Sequence, residues 1–288
     1  MVFLTGDLGF MALEPLKEVM GERFVNAGVA EQNMVSVAAG LARQGFEVWV
    51  YSIAPFCYAR PFEQIRNDIS FHNLPVKLIG NGGGYGYGVM GPTHHAIEDY
   101  GVLLTLPNMS VYIPGFDEDV EAVIARAGIS SRPAYIRMGR GEPPKGYAVP
   151  AYEPWRQLTC GGGAVVIVVG PLAGTYIEAF EQLSEDHRPN LWIVSELPIE
   201  HNPLPTALLI QIEDSSCLCV AEEHVQRGGF ASELLLHLAE KNIAIRRFRH
   251  LYARMHHFDR YGSQNFLRKQ SALDVDSILA LLKDSQYA

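Results

Sequence analysis

The stretch that decides the fold is RFVNAGVAEQNMVSVAAGLA, residues 23–42. It begins as a short strand that ends at Asn26, and Gly28 then permits a tight turn. Glu31 stands at the head of the helix that follows, where a carboxylate is favoured by the helix dipole. Helical spacing places small and apolar residues on one face of this helix, namely Met34, Ala38, Leu41 and Ala42. The stretch therefore predicts a strand, a turn and a helix in succession.

The same alternation of strands and helices runs through the first half of the chain. Apolar, β-rich runs predict strands at residues 2–5, 48–51, 76–79, 111–113 and 134–137. Helical patterns lie between them, at residues 62–71, 97–106 and 119–127. Several of the strands are nearly all apolar, as strands buried on both faces should be. This order predicts a parallel sheet covered by helices on both faces.

A second unit of the same kind follows a change in composition. Residues 139–154, GRGEPPKGYAVPAYEP, contain four prolines and three glycines without an apolar period, which indicates an extended linker. Strands are then predicted at residues 165–169, 191–194, 217–220 and 243–248, and helices at 175–183, 230–240 and 275–282. The sequence thus predicts an α/β fold with two doubly wound parallel-sheet domains, 1–140 and 159–288, joined by a linker at 141–158.

Composition excludes several classes of protein. The formal net charge of −9 argues against nucleic acid as the main partner. The longest apolar run, residues 164–169, is far shorter than the roughly 20 residues of a membrane-spanning helix. The first residues, MVFLTGDLGF, lack the basic start of a signal peptide, so a cytoplasmic location is expected. The four cysteines form no C-x-x-C pair, so no metal site is predicted within this chain.

Four motifs occur in an order and spacing that point to one family. They are AGVAEQNMVSVAAGLA (27–42), PFCYARPFEQIRNDI (55–69), GVMGPTHHAIEDYGVLLTLPNMSVYIP (88–114) and AEEHVQRGGFASELL (221–235). Together they resemble the pyrimidine-binding and C-terminal domains of transketolases and deoxyxylulose-phosphate synthases. The resemblance implies a pyrimidine-binding fold for residues 1–140 and a transketolase C-terminal fold for residues 159–288.

The resemblance implies thiamine diphosphate as the cofactor. Glu31 matches the family glutamate that hydrogen-bonds the aminopyrimidine, a task that requires a dry, apolar setting. Phe56 and Phe62 are the predicted aromatic neighbours of that ring, and Tyr58 is the alternative if the register shifts. The rival interpretations are plain core packing for the aromatic residues and helix N-terminal charge for Glu31.

Three further residues gain roles from the same resemblance. His94 matches the active-site histidine that reaches the substrate oxygen and assists proton transfer. Arg137 matches a family arginine that binds sugar phosphate, with solvation of a strand end as the equal alternative. Asp7, in GDLG after the first strand, lies where doubly wound sheets gather ligands, although turn capping explains it nearly as well.

Two departures from the family pattern shape the functional prediction. The G-D-G motif that marks the diphosphate and magnesium site is absent, so a partner subunit is expected to bind Mg²⁺ and the diphosphate. The chain therefore looks like the second half of a split transketolase, assembled as α2β2. Met90 stands where sugar-phosphate transketolases carry a carboxylate, and residues 81–84 lack the substrate-binding histidine of many members. Both changes put the ordinary pentose-phosphate substrate in doubt.

The predicted function is transfer of a two-carbon ketol unit from a ketose donor to an aldehyde acceptor, by a heteromeric enzyme. One alternative is a specialised thiamine-diphosphate enzyme that forms carbon–carbon bonds on a modified or nucleotide-linked sugar. The other alternative, from a different class, is an α/β interaction subunit that has kept the fold and lost turnover. The presence of Glu31 and His94 favours the enzyme.

Overall fold

Two mostly parallel β-sheets organise the computed structural model, which describes residues 1–286. The strands of the first sheet are β1 (Val2–Thr5), β2 (Phe24–Asn26), β3 (Val48–Ile53), β4 (Val76–Asn81), β5 (Ser110–Tyr112) and β6 (Ala134–Met138). The strands of the second half are β7 (Trp155–Thr159), β8 (Val165–Val169), β9 (Asn190–Val194), β10 (Glu196–Leu197), β11 (Leu218–Glu222) and β12 (Phe248–Tyr252). The strand orders are β10-β5-β6-β4-β3-β1-β2 and β12-β11-β8-β9-β7. The predicted α/β class with two mostly parallel sheets is confirmed.

Helices connect the strands in both halves. Those of the first half are α1 (Glu14–Met20), α2 (Glu31–Arg43), α3 (Ala54–Tyr58), α4 (Phe62–Gln64), α5 (Asp99–Leu103) and α6 (Val120–Ile129). Those of the second half are α7 (Gly174–Glu181), α8 (Thr206–Asp214), α9 (Phe230–Glu240), α10 (Gln264–Gln270) and α11 (Val275–Gln286). The helix predicted at 62–71 is α4 continued as a π-helix over Ile65–Ser70. Within residues 1–286, none of the helices has the length and apolar character needed to cross a membrane.

Both faces of the first sheet are buried, because alternate residues of each strand enter different cores. Val48 and Val50 of β3 pack in the main core with α2, whereas Trp49 packs in a second core with α6. The main core continues into the other half, where it includes Ile167 of β8. The opposite face of the second sheet packs against α7 and α11. The two halves therefore share one continuous apolar core.

The junction between the halves differs from the predicted linker. Residues 155–158 were predicted as the end of the linker, but they lie in β7, which pairs antiparallel with β9. Arg156 of β7 ties this segment to the first half, because its guanidinium is buried in an ion pair with Asp119. Glu196–Leu197, in the second half, forms β10 and pairs antiparallel with β5 of the first sheet. The division into domains at 140 and 159 remains a proposal.

The strand predicted at 243–248 was placed too early. The observed strand, β12, covers Phe248–Tyr252 and shares only Phe248 with the prediction. Ile243 and Ile245, which suggested the strand, pack instead against the edge of the main core in the preceding segment. His250 of β12 binds the buried Glu222 carboxylate, with Nε2 and Oε1 2.8 Å apart. A polar contact therefore fixes the strand position that the apolar pattern missed.

Candidate active site

The candidate active site lies at the carboxyl ends of β1, β2 and β3, which are adjacent in the sheet. From β1 the chain passes to β2 on one side and then to β3 on the other side. Open α/β sheets bind ligands at such a reversal of direction. Gly6 follows β1, Glu31 opens α2 after β2, and α3 starts directly after β3. Residues far apart in the sequence therefore meet at this edge.

Glu31 is buried at the start of α2, with only 5% of its surface exposed. Its Oε1 lies 2.9 Å from Nη1 of Arg60, whose side chain is 46% exposed. A Cβ on Gly6 would lie 3.8 Å from Glu31 Cγ and 3.6 Å from Ser52 Oγ, so Gly6 lies directly beside both side chains. The Ser52 hydroxyl is buried and has no hydrogen-bond partner among the described residues. An open depression beside Glu31 is lined by Val29, Ala30, Gln32, Asn33 and Arg60.

Arg60 and Phe56 connect Glu31 to His94. The Arg60 guanidinium lies over the Phe56 ring, with its carbon 3.7 Å from the ring centroid. Phe56 also contacts His94: their ring centroids are 5.1 Å apart in an edge-on arrangement. Glu31, Phe56 and His94 were predicted from the sequence as parts of one site, and the structure brings them together. Arg60 was missed, although the spacing of Phe56 and Arg60 is that of neighbours on a helical turn.

The setting of Glu31 differs from the apolar one that was predicted. Its nearest ionic partner is the Arg60 cation, which balances the carboxylate charge. The aromatic wall exists, but it consists of Phe56 with the Arg60 guanidinium lying on its face. The Glu31 carboxylate is therefore paired with a charged, partly exposed side chain and is not enclosed by aromatic rings alone.

His94 is partly buried and its Nδ1 lies 2.9 Å from Thr93 Oγ1. Burial lowers the pKa of His94 below its ordinary value of 6.5, and the positive charge of Arg60 lowers it further. Both effects disfavour the imidazolium. At neutral pH the ring is therefore neutral and able to accept a proton.

Removing the Arg60 charge should raise the pKa of His94. In Arg60→Gln, burial still disfavours the imidazolium but the repulsion is lost, so His94 is expected to titrate at higher pH than in the wild type. An NMR titration of the histidine ring protons measures this shift. His237 is the control, because its pKa is lowered by burial and by Lys241 and should not change. An unchanged His94 pKa in the variant would contradict the charge effect of Arg60 on His94.

The other predicted cofactor residues lie in different surroundings. Tyr58 is buried and donates to Glu98 Oε2 at 3.4 Å, and burial raises its pKa far above the ordinary value. Phe62 is partly buried against the main core. Asp7 is exposed at the end of β1 and accepts a hydrogen bond from Asn26 Nδ2 at 2.8 Å. Phe62 thus packs at the edge of the core, and Asp7 is held by Asn26 of β2. Cofactor contacts of these three residues remain predictions.

Arg137 corrects the expectation of a solvated strand end. It is 4% exposed and its Nε lies 2.9 Å from Asp99 Oδ2. Its Nη2 donates to the carbonyls of Ala96 and Glu223, at 3.0 and 2.8 Å. The Asp99 carboxylate offsets the effect of burial and raises the pKa of Arg137 above its ordinary value. The Arg137 charge is thus balanced inside the chain by Asp99, and contact with an anionic sugar group stays a prediction.

Comparison with known proteins identifies the family. Residues 5–145 match the family model described as transketolase, pyrimidine binding domain. The chain is 30% identical over 275 residues to one of the subunits of the apulose-4-phosphate transketolase of Actinobacillus succinogenes, covering 93% of this chain and 86% of that protein. The chain belongs to the transketolase family. The resemblance stated from the four sequence motifs is confirmed.

Two further relatives of this transketolase-family chain differ in length. The 1-deoxy-D-xylulose-5-phosphate synthase of Nitratidesulfovibrio vulgaris is 32% identical over 91% of this chain. The match covers 41% of the synthase, so the chain spans about two-fifths of that relative. A solved structure described as "Split gene transketolase, inactive beta4 tetramer" superposes with a TM-score of 0.82 at 27% identity, covering 99% of this chain and 91% of that chain. The fold of the described residues is thus similar to that of this split-gene transketolase chain.

Proposed function

We propose that this chain is the pyrimidine-binding subunit of a heteromeric, thiamine-diphosphate-dependent transketolase-like enzyme. The enzyme transfers a two-carbon ketol unit from a ketose donor to an aldehyde acceptor. The observation that carries this proposal is the buried Glu31 carboxylate at the head of α2, joined through Arg60 and Phe56 to a neutral His94. The match to proteins that are named as separate transketolase subunits supports the same conclusion.

The residues around Glu31 fit a flat heteroaromatic ring that carries N–H groups. The Arg60 guanidinium is itself flat, donates to Glu31 Oε1, and lies face-on over Phe56. An aminopyrimidine can make the same two kinds of contact. The Arg60 side chain is 46% exposed, so it can move into solvent and leave this space to the cofactor. The unpartnered Ser52 hydroxyl is a further buried polar group at this edge.

Each site residue has a separate task in this proposal. Thiamine diphosphate supplies the electron sink of the reaction when it is bound. Glu31 would hold a ring nitrogen of the aminopyrimidine, and its burial strengthens that hydrogen bond because water cannot compete for it. Phe56 would cover the ring and exclude solvent. His94, neutral at neutral pH, would accept a proton from a substrate hydroxyl.

The remaining half of the site is assigned to a partner subunit. Among residues 1–286, no group of three His, Cys, Asp or Glu side chains is arranged to hold a metal ion. We therefore place the diphosphate and Mg²⁺ ligands on a diphosphate-binding transketolase subunit, and propose an α2β2 assembly that works in the cytoplasm. The chain matches only 41% of the synthase, which supports the proposal that a separate subunit supplies the rest of the enzyme. Closed, symmetric assemblies are also the usual form of such oligomers.

A sugar is the proposed substrate class, and the loop before His94 argues for an unusual one. Val89 and Met90 in this loop are 67% and 54% exposed, so they present apolar surface, and Met90 stands where the sugar-phosphate transketolase pattern has a carboxylate. Two of the relatives, both apulose-4-phosphate transketolase subunits, are named for a sugar phosphate, which supports a sugar donor.

The experiment that tests this function is turnover by the reconstituted complex. The chain is coexpressed with the reading frame, sought beside its own gene, that carries the G-D-G motif. Purified complex is then assayed with a panel of ketose donors and aldehyde acceptors, with thiamine diphosphate and Mg²⁺. Ketol transfer that requires both chains and the cofactor is the expected result. A stable complex without cofactor-dependent turnover on any donor would favour the non-catalytic interaction subunit.

A further inference from the structure

The loop that precedes His94 has little conformational preference of its own. Residues 82–91, GGGYGYGVMG, contain six glycines, and we call this segment the glycine-rich loop. Glycine loses more conformational freedom on ordering than any other residue, so such a loop needs external contacts to adopt one shape. Proton transfer by His94 depends on its placement, because small displacements of a catalytic group reduce the rate strongly. What orders this loop therefore matters for the proposed reaction.

Tyr85 is the anchor of the glycine-rich loop. Its side chain is fully buried in a small core of its own, which is separate from the larger cores of the two sheets. Ile97 contributes to this core from the first half, whereas Ala253 and Leu267 contribute from the second half. The tyrosine ring thus crosses from the loop into the C-terminal half of the chain.

The backbone N–H and the hydroxyl of Tyr85 both bind to the C-terminal half. Its backbone N–H donates to Glu223 Oε1 at 2.7 Å. Its hydroxyl donates to the carbonyl of Met255 at 2.8 Å and lies 3.0 Å from Ser271 Oγ. Buried hydrogen bonds of this kind fix both the backbone and the far end of the ring, since breaking one leaves an unsatisfied polar group.

Glu223 is itself held rigidly. Its Oε2 accepts two hydrogen bonds from Arg268, at 2.9 and 2.7 Å, in a paired arrangement that adds geometric specificity. Gly84 allows the loop to approach this carboxylate, because a Cβ at that position would lie 2.7 Å from the Glu223 carboxyl carbon. Gly84 also has a φ of +63°, which a larger residue adopts only with strain.

The anchor reaches His94 through the backbone. Gly84 and Ala96 exchange two hydrogen bonds of 2.8 Å each, so the segments on either side of the turn are tied together. The His95 ring packs edge-on against Tyr85, with centroids 5.2 Å apart at 87°. His94 therefore lies on a turn between Gly84 and Ala96, and both ends of this turn are held next to Tyr85.

We propose that Tyr85 is a positioning residue, which fixes the glycine-rich loop and His94 to the C-terminal half of the chain. This gives the C-terminal half a part in the site, although it contributes no residue to the contacts between Glu31 and His94 described above. The inference rests on the proposed function only for the role of His94. The contacts that anchor Tyr85 lie within this chain, so they do not depend on the proposed function.

Hydrogen exchange of the full chain tests the anchoring directly. Tyr85→Phe keeps the ring and removes the hydroxyl, so amides of residues 82–97 should exchange about tenfold faster or more. Tyr176→Phe is the matched control, because Tyr176 is also fully buried and donates to one carbonyl, that of Leu273, at 2.8 Å. That variant should leave exchange at 82–97 unchanged. Equal exchange of this segment in Tyr85→Phe and the wild type would overturn the proposal.

Steady-state kinetics of the reconstituted complex tests the link to His94. Tyr85→Phe should lower kcat by about tenfold or more while the apparent affinity for thiamine diphosphate stays the same, since Glu31 and Phe56 lie on other segments. Tyr176→Phe should retain kcat. Faster amide exchange at residues 82–97 together with a wild-type kcat would refute the positioning role. If the wild-type complex is inactive, the proposed function fails, and the exchange experiment alone decides the anchoring.

Discussion

Glu31→Gln should reduce turnover of the reconstituted complex by about 100-fold or more while the fold stays intact. The amide is nearly the same size as the carboxylate, but it cannot accept a charge-assisted hydrogen bond or share a proton with a ring nitrogen. It also loses the ion pair with Arg60, which spans 2.9 Å in the wild type. Initial rates at saturating donor, with thermal unfolding of the same preparation, separate the effect on chemistry from any effect on folding.

The rival role for Glu31 is charge at a helix N-terminus, and it predicts a different result. Loss of such a charge changes stability by about 1 kcal/mol or less and leaves the kinetics nearly normal. Glu121→Gln provides the control, because Glu121 is an exposed acid in the first turn of α6 on the other face of the sheet. Wild-type rates in Glu31→Gln would remove this residue from the proposed chemistry.

Asp119→Ala should lower the free energy of unfolding by about 3–5 kcal/mol. Asp119 and Arg156 form a paired contact of 2.7 and 2.6 Å, and both side chains are 3% exposed. The same carboxylate accepts the backbone N–H groups of Gly115 and Phe116, at 2.9 and 3.0 Å. Its removal leaves a buried arginine without its counter-charge at the junction of the two halves. Urea denaturation of the isolated chain measures the loss.

The neighbouring acid provides a matched comparison for this prediction. Glu118 precedes Asp119 in the chain but is exposed, so Glu118→Ala should change the free energy of unfolding by less than about 0.5 kcal/mol. Similar values for the two variants would show that the buried ion pair contributes nothing special to the junction.

Local patterns predicted the fold well where burial alone determines it. Val165–Val169 is a continuous apolar run, and it forms a central strand with the predicted bounds. Helix α2 starts at Glu31 as the sequence indicated. The edge elements were harder, because their positions depend on partners distant in the sequence. The two residues of β10 pair with β5, which precedes β10 by more than eighty positions in the sequence. A local hydrophobic pattern cannot predict such a distant contact.

The candidate site shows the same division between local and distant causes. Glu31, Phe56 and His94 could be predicted because each lies in a sequence motif that resembles the family's. The charge next to Glu31 could not, since Arg60 reaches the carboxylate only through the path of the chain after β3. The burial of Arg137 could not be predicted from local sequence for the same reason, because Asp99 covers it from another element.

The central claim is that this chain holds only the pyrimidine end of the cofactor, and calorimetry tests it most directly. Thiamine diphosphate with Mg²⁺ is titrated into the isolated chain and into the reconstituted complex under the same conditions. The isolated chain should bind the cofactor poorly, because the phosphate and metal ligands are assigned to the partner, and the complex should bind it tightly in a magnesium-dependent way. Micromolar, magnesium-dependent binding to the isolated chain would contradict the split-site account.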